Sequence, residues 1–178
     1  MKLSTQLKKF DACTEGYEWA KGKTLTEAWS TCERGDWMLW YAAKINIDRK
    51  LLVKAACACA RLSLKFVPDG EQRPRIAIET AEAWAEGKAS LNDVETASYA
   101  TYAAAYTYAA DAADAAANAA YAAANAAYAA AYVAYAADAA TDAADAAYAA
   151  DATDATTLRV CAEIVRDMIP LDALKGDK

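Results

Sequence analysis

The chain contains no histidine. That removes Ser–His and Cys–His catalysis, histidine-containing zinc sites and the usual proton shuttle near neutral pH. Carboxylate, lysine and tyrosine chemistry remain formally open, but no pattern in the chain points to a reaction. The sequence is read as non-enzymatic, with no catalytic residues, no metal ligands and no cofactor. Proline and glycine are scarce, at three and six residues, and neither occurs between Gly87 and Pro170. With few turn formers and many helix formers, the chain is expected to be all-α.

Positive charge is missing from one region. Residues 1–88 carry 15 basic and 12 acidic side chains, whereas Ala89 to Ala155 carries nine acidic and no basic ones. Such asymmetry marks either a partner surface or the solvated face of helices. Met1 to Phe10 lacks the apolar core of a signal peptide, and no 18-residue apolar span exists, so a cytoplasmic protein without membrane contact is expected. The five cysteines are odd in number and show no framework spacing. Cys57 and Cys59, two apart, point to different sides of a helix and read as small buried hydrophobes in a reduced setting.

What the chain has in excess is alanine, 34 of the 56 residues from Ala100 to Ala155. The exceptions keep time. Asp111, Asp114, Asn118, Tyr121, Asn125, Tyr128, Tyr132 and Tyr135 are spaced by alternating steps of three and four, one stripe along a helix. A single helix over Asn92 to Thr153 would be about 90 Å long. A domain of 178 residues has a radius of gyration near ~16 Å, so the tract either folds back or builds an elongated oligomer such as a homodimer. Tyr99, Tyr102 and Tyr106 share a different phase, and the phase slips again through Asp138, Thr141, Asp142 and Asp145. Breaks are therefore predicted near 107–111, 137–142 and 151–154. Asp and Asn in the stripe place it toward water, since burying carboxylates with no Lys or Arg nearby is costly. The alanine faces then pack inward, where small side chains let helix axes approach closely.

The remaining elements follow from caps and apolar spacing. A helix is predicted over Leu3–Lys21, and another opens at Thr24, which stands three residues before Glu27 in a capping box. Asp36 is expected to cap Trp37–Lys44, and Asp48 to cap Arg49–Phe66. After the Pro68-Asp69-Gly70 turn, a helix over Arg75–Glu86 is expected to turn Ile76, Thr80, Ala83 and Trp84 inward. Asn92 or Asp93 caps the next. The last helix, Thr156–Met168, carries Leu158, Cys161, Ile164, Val165 and Met168 inward and stops at Pro170. The expected architecture is a single all-α domain, a compact helical bundle whose C-terminal half contains an Ala-rich layer of close-packed antiparallel helices. Its parts are a Trp-containing region 1–88, the Ala-rich helices 89–155, and a final helix and tail 156–178.

Several strings carry a resemblance. They are Asp11-Ala12-Cys13, the run Cys32-Glu33-Arg34-Gly35-Asp36-Trp37-Met38-Leu39-Trp40, the run Ala55-Ala56-Cys57-Ala58-Cys59-Ala60-Arg61, and Arg73-Pro74-Arg75 leading to Ala81-Glu82-Ala83-Trp84. Followed by the Ala/Tyr/Asp repeats and the Arg159 to Pro170 ending, they resemble the "immunity protein five-like" family of bacteria and phages or prophages. The resemblance implies a small, non-enzymatic, all-helical protein that binds and neutralises a toxin. A phage-borne copy would instead inhibit a host defence system, in the manner of an anti-CRISPR protein. The expected partner is a protein, whether toxin, nuclease or defence complex, with no direct nucleic-acid binding.

Candidate partner-binding residues fall in two groups. One is the stripe and its continuation: Asp111, Asp114, Tyr121, Tyr128, Tyr132, Asp138, Asp142 and Asp145. The other is the helix start at Arg34, Asp36 and Trp37. Trp37 and Trp40 share a helix face with Tyr41 beside it, a pattern that core packing explains and that a binding hot spot also uses. A local ion pair with a cap explains Glu33, Arg34 and Asp36 without a partner. The acidic residues also permit an alternative, a mimic of DNA phosphates that blocks a nucleic-acid channel, though Tyr and Asn interrupt the charge. A further alternative is a nucleotide-sequestering module using Trp and Arg. Arg61, Arg73 and Arg75 make only a weak basic patch. The Arg-Gly-Asp triplet is discounted without secretion, and an ice-binding helix is disfavoured because the threonines lack an eleven-residue period.

Overall fold

The structure is a computed structural model that describes residues 2–110, 114–132, 135–149 and 154–175. The described residues form α-helices and two short 3-10 turns, with no strand among them. Residues 1–32 and 33–178 make two compact units.

The first unit holds α1 (Leu3–Lys9), α2 (Thr14–Ala20) and α3 (Leu25–Thr31). The single helix expected over Leu3–Lys21 is two. Asp11 takes a left-handed φ of 56°, a conformation that Asp tolerates better than most residues. Cys13 then caps α2, its Sγ accepting from the Gly16 N–H at 3.4 Å. The capping box is present at α3. The Thr24 N–H donates to Glu27 Oε2 at 2.7 Å, and the Glu27 N–H donates to Thr24 Oγ1 at 3.2 Å.

The second unit holds α4 (Gly35–Lys44), α5 (Arg49–Arg61), α6 (Arg73–Ala85), α7 (Leu91–Ala110), α8 (Asp114–Tyr128), α9 (Tyr135–Ala149) and α10 (Asp154–Met168). Asp48 caps α5, accepting from the Lys50 and Leu51 N–H groups. That helix stops at Arg61, short of Phe66, and a separate 3-10 turn covers Leu64–Phe66. Pro74 sits in the first turn of α6, where its missing N–H costs nothing. The face α6 buries is Pro74, Ala77, Ile78, Ala81 and Ala85. The face expected inward is off by part of a turn: Ile76 is 49% exposed and Thr80, Ala83 and Trp84 are half-buried, while Ile78 takes the fully buried position. Ser90, not Asn92 or Asp93, starts α7. Its Oγ accepts from the Asp93 N–H while Asp93 Oδ2 accepts from the Ser90 N–H. On α10, Leu158, Cys161, Ala162 and Val165 are buried, while Ile164 and Met168 are half-buried.

Two layers result. α7, α8 and α9 lie side by side with α8 in the middle, and α5, α6, α4 and α10 pack beneath them. Ala119, Ala120, Ala123 and Ala126 of α8 are fully buried, so the close-packed alanine layer is as expected. Its helices are antiparallel, since facing pairs step in opposite directions: Tyr99 with Tyr128, Tyr102 with Asn125 and Tyr106 with Tyr121 between α7 and α8, and Tyr128 with Tyr135 and Asn125 with Asp142 between α8 and α9. Hydroxyls stitch helices together, the first within the alanine layer and the second between layers. Ser98 Oγ donates to the Ala124 carbonyl at 3.0 Å and Thr101 Oγ1 to the Arg73 carbonyl at 2.9 Å.

The predicted breaks fare unequally. Those near 107–111 and 151–154 touch residues 111–113 and 150–153, which lie outside the described residues, but helix ends flank both. The break predicted over 137–142 is wrong, for those residues lie inside α9 and the chain turns between Tyr128 and Tyr135. The Tyr128 carbonyl accepts from the Tyr132 N–H at 2.9 Å and the Tyr132 carbonyl from the Tyr135 N–H at 3.1 Å. Residues 129–131 form a turn, and Tyr132 and Tyr135, spaced like the rest of the stripe, are tied to it by these bonds. Rings brace that turn: Tyr128 lies 4.9 Å from Tyr132 and 5.0 Å from Tyr135 between centroids.

Candidate functional site

Because α8 is bounded by α7 and α9 at its sides and by α5 and α6 below, only its striped edge points outward. There the stripe meets Tyr99, Tyr102 and Tyr106 of α7. The rings form one cluster. Tyr99 and Tyr128 meet edge-on at 5.9 Å, Tyr102 and Tyr128 at 6.3 Å, and Tyr106 and Tyr121 at 5.9 Å. Edge-to-face pairs contribute about 0.5–1.5 kcal/mol each beyond area burial. Tyr121 and Tyr128 are half-buried beneath the cluster, while Tyr99, Tyr106 and Tyr132 are 59%, 67% and 53% exposed. The hydroxyls of Tyr99 and Tyr128 stand 3.2 Å apart, which with burial raises the Tyr128 pKa.

A polar seam runs through this face. Tyr102 Oη donates to Asn125 Oδ1, and Asn125 Nδ2 donates to Asp142 Oδ2 at 2.5 Å, tying α7, α8 and α9 together. Two expectations need correction here. Asn125 does not face water but is only 8% exposed, and Asp142 is half-buried. No Lys or Arg exists in the tract, so a neutral amide serves as Asp142's partner and one polar group fills the gap between three helices. The electrostatic cost of that arrangement is visible. Burial first, then Asp138 and Asp145 on the same helix, raise the Asp142 pKa to about 7 against the lowering effect of Asn125. Asp138 is raised by burial as well. Burial, with Tyr135, Asp142 and Asp138 behind it, raises Tyr102.

The predicted residues thus divide. Tyr121, Tyr128, Tyr132, Asp138, Asp142 and Asp145 come together on the α8–α9 face. Asp114 is exposed in the first turn of α8. Asp111 lies outside the described residues. Arg34, Asp36 and Trp37 make a second cluster at the start of α4. Asp36 does not cap, because α4 begins one residue earlier at Gly35 and the carboxylate is taken by Arg34 in a two-pronged pair at 2.9 and 2.7 Å. The same guanidinium lies 4.5 Å from the Trp37 ring. Trp37 and Trp40 are half-buried, and the core side of α4 is Met38, Leu39, Tyr41 and Ala42. Gly35 is required there, since a Cβ would stand 2.4 Å from Cys161 Cβ on α10.

Two arginines of the weak basic patch, Arg61 and Arg73, are engaged in ion pairs. Arg73 grips Glu71, Tyr108 Oη donates to Glu71 Oε2 at 2.9 Å, and these contacts hold the Glu71 pKa down at about 2, the Arg73 hydrogen bond first. Arg61 pairs with Glu82 at 2.9 and 2.6 Å. Tyr99, Tyr102 and Tyr106 of the outer face, and Asn125 buried beneath it, escaped the candidate set. The signal was present in their phases, two stripes that superpose only when α7 and α8 are laid antiparallel.

Cys57 and Cys59 are fully buried, and Cys59 Sγ lies 3.9 Å from the Cys161 carbonyl oxygen. Among the described residues no three His, Cys, Asp or Glu side chains converge on a metal-sized position. No described helix is long and apolar enough to cross a membrane.

Fold and site together define an all-α protein that displays a tyrosine-rich, acidic face on a layer of alanine helices. No protein-family model, curated protein or solved structure matches the chain.

Proposed function

We propose that this is a non-enzymatic, protein-binding inhibitor of the immunity or phage counter-defence kind, which neutralises a toxin or nuclease complex by direct contact. The observation that carries the reading is the outer face of α7–α9. Three tyrosines expose more than half their surface on a base of packed rings and buried alanine. Tyrosine supplies large, stiff contact area at low entropic cost and is enriched among binding hot spots. A helix layer that fills its interior with alanine and spends its large side chains outside is built to present them. The resemblance of the Cys32 to Trp40 run to immunity proteins supports the same class. The direct trial is reconstitution. A toxin or nuclease recovered with the protein at one-to-one stoichiometry should lose activity when mixed with it and keep activity when mixed with the Tyr106→Ser/Tyr132→Ser variant. A stoichiometric partner whose activity never changes contradicts the reading.

A second reading, an acidic mimic lodged in a nucleic-acid channel, draws on the recurrence of Asp138, Asp142 and Asp145 every three or four residues along α9. It requires that changing these three to Asn weakens the partner complex and flattens its salt dependence.

A further inference from the structure

The aromatic side chains of this protein are treated in two ways. Tryptophans carry cations of their own: Lys23 stands 4.0 Å from the Trp19 ring, Arg34 4.5 Å from Trp37, Lys44 5.7 Å from Trp40 and Arg49 5.4 Å from Trp84. Among the described residues, no Lys or Arg lies over Tyr99, Tyr106 or Tyr132, and residues 89–155 contain none to supply one. Among the described residues these are the rings most open to solvent; Tyr106 packs on Tyr121, and Tyr99 and Tyr132 pack on Tyr128. The acidic row of α9 reaches the same cluster from the other side of α8, where Asn125 joins Asp142 to the Tyr102 hydroxyl. Asp142 acts on Tyr102 and Tyr121, and Asp138 on Tyr102.

We propose that this face receives an arginine-rich segment of the partner protein, whose guanidinium groups lie on the exposed tyrosine rings and pair with Asp138, Asp142 and Asp145. The proposal rests on reading α7–α9 as a protein-binding surface and names the chemistry of what it takes. Arginine fits better than lysine for two reasons. Its planar group stacks on a ring while its fork engages a carboxylate, and it is more weakly hydrated, so it enters a half-buried aromatic setting at lower cost. The carboxylates rise about 6 Å and then about 4.5 Å along α9, the steps at which arginines three and four residues apart recur on a helix. Docking also has a proton signature. Asp142 faces Asn125, Asp138 and Asp145, and lies close to Tyr102 and Tyr121, none of them cationic. It therefore holds a proton for part of the time at neutral pH, and an arriving guanidinium expels it.

The probe is a capped, 15-residue alanine-based peptide with arginines at i, i+4 and i+7, beside counterparts carrying lysine or glutamine at the same places. Binding to the full chain is followed by calorimetry at pH 7 in phosphate and in Tris, and by shifts of tyrosine ring resonances. The arginine peptide is expected to bind about tenfold tighter than the lysine one. The glutamine peptide should not bind. The enthalpy should differ between buffers by the release of a fraction of one proton. Tyr106→Leu/Tyr132→Leu, with unchanged helical circular dichroism, should weaken the arginine peptide by about tenfold or more. Equal binding of arginine and lysine peptides, affinity indifferent to the leucine changes, or no resonance shift at millimolar peptide would each overturn the proposal. These outcomes are separable from failure of the inhibitor reading. A toxin held through an uncharged segment sinks this proposal alone, whereas arginine binding with no inhibited partner sinks the other alone.

Discussion

In α5, Leu52, Val53, Cys57 and Cys59 are buried to within 1% and fill space with side chains of different shapes. In α8, Ala119, Ala120, Ala123 and Ala126 are buried as completely and fill it by bringing backbones together. The two regions differ in charge as well. Around α4–α6, carboxylates are answered by guanidinium groups: Arg34 with Asp36, Arg61 with Glu82, Arg73 with Glu71. In the α7–α9 layer the carboxylate at Asp142 is answered by an amide. One region spends its large and charged side chains on itself. The other leaves them on its outer face, and that difference is what makes the layer a surface for something else.

The comparison is open to attack from both sides, most heavily in the cores. Leu52→Ala should cost about 2–5 kcal/mol by leaving a cavity. In the alanine layer the damaging direction is reversed. Ala123→Leu should cost about 3 kcal/mol or prevent folding, because nothing there yields to three added carbons. Denaturant unfolding of both variants decides it, and an Ala123→Leu protein as stable as the parent would mean the layer is loosely packed. Gly35→Ala belongs with these, since its Cβ has no room beside Cys161.

Next in size is the seam. Asn125→Leu removes the acceptor of Tyr102 and the donor to Asp142, and should cost about 2 kcal/mol, the penalty for stranding partly buried polar groups. Calorimetric melting checks it.

The pH response should separate the two regions by sign. Asp142 is raised in the folded state to about 7 from 3.8, so the fold binds a proton that the unfolded chain releases, and stability falls as pH rises from about 4 to 7. Glu71 is lowered to about 2 from 4.5, so its contribution is complete above 4.5 and is lost as pH falls toward 2. Asp142→Asn should therefore gain stability at pH 8 of the order of 1–2 kcal/mol, since a half-buried carboxylate keeps part of its hydration, and should flatten the upper limb. Glu71→Gln should flatten the lower limb only. Chemical denaturation across pH 3–9 reads both, and an Asp142→Asn profile parallel to the parent's would remove the electrostatic account of the seam.

Much of this was legible in the residues. Helical class, the capping box at Thr24 and the Asp48 cap follow from local chemistry, because each depends on neighbours within four positions, and the burial of the alanine faces follows from the side the polar stripe leaves over. The failures have a common cause. Asp11 breaks the first helix through a backbone state that composition does not encode. The turn after Tyr128 is hidden because the stripe keeps its spacing around the corner. Ile76 points outward because α6 is turned by the alanine surfaces it meets, a choice made between helices. Of the outer face, the α8 stripe and the α9 acids were readable. Tyr99, Tyr102 and Tyr106 joined it only once the antiparallel pairing was known, and the burial of Asn125 depends on a third helix.

The smallest expected effect on stability is also the most informative. Tyr106 and Tyr132 are more than half exposed, so changing both to Ser should alter the unfolding free energy by less than about 0.5 kcal/mol each. The same double variant should lose its partner. Unfolding and partner affinity measured on one preparation therefore test whether the tyrosine face is for binding. Unchanged stability with binding lost is the expected result. Lost stability with binding intact would show that these rings serve the fold, and would contradict a binding face on α7–α9.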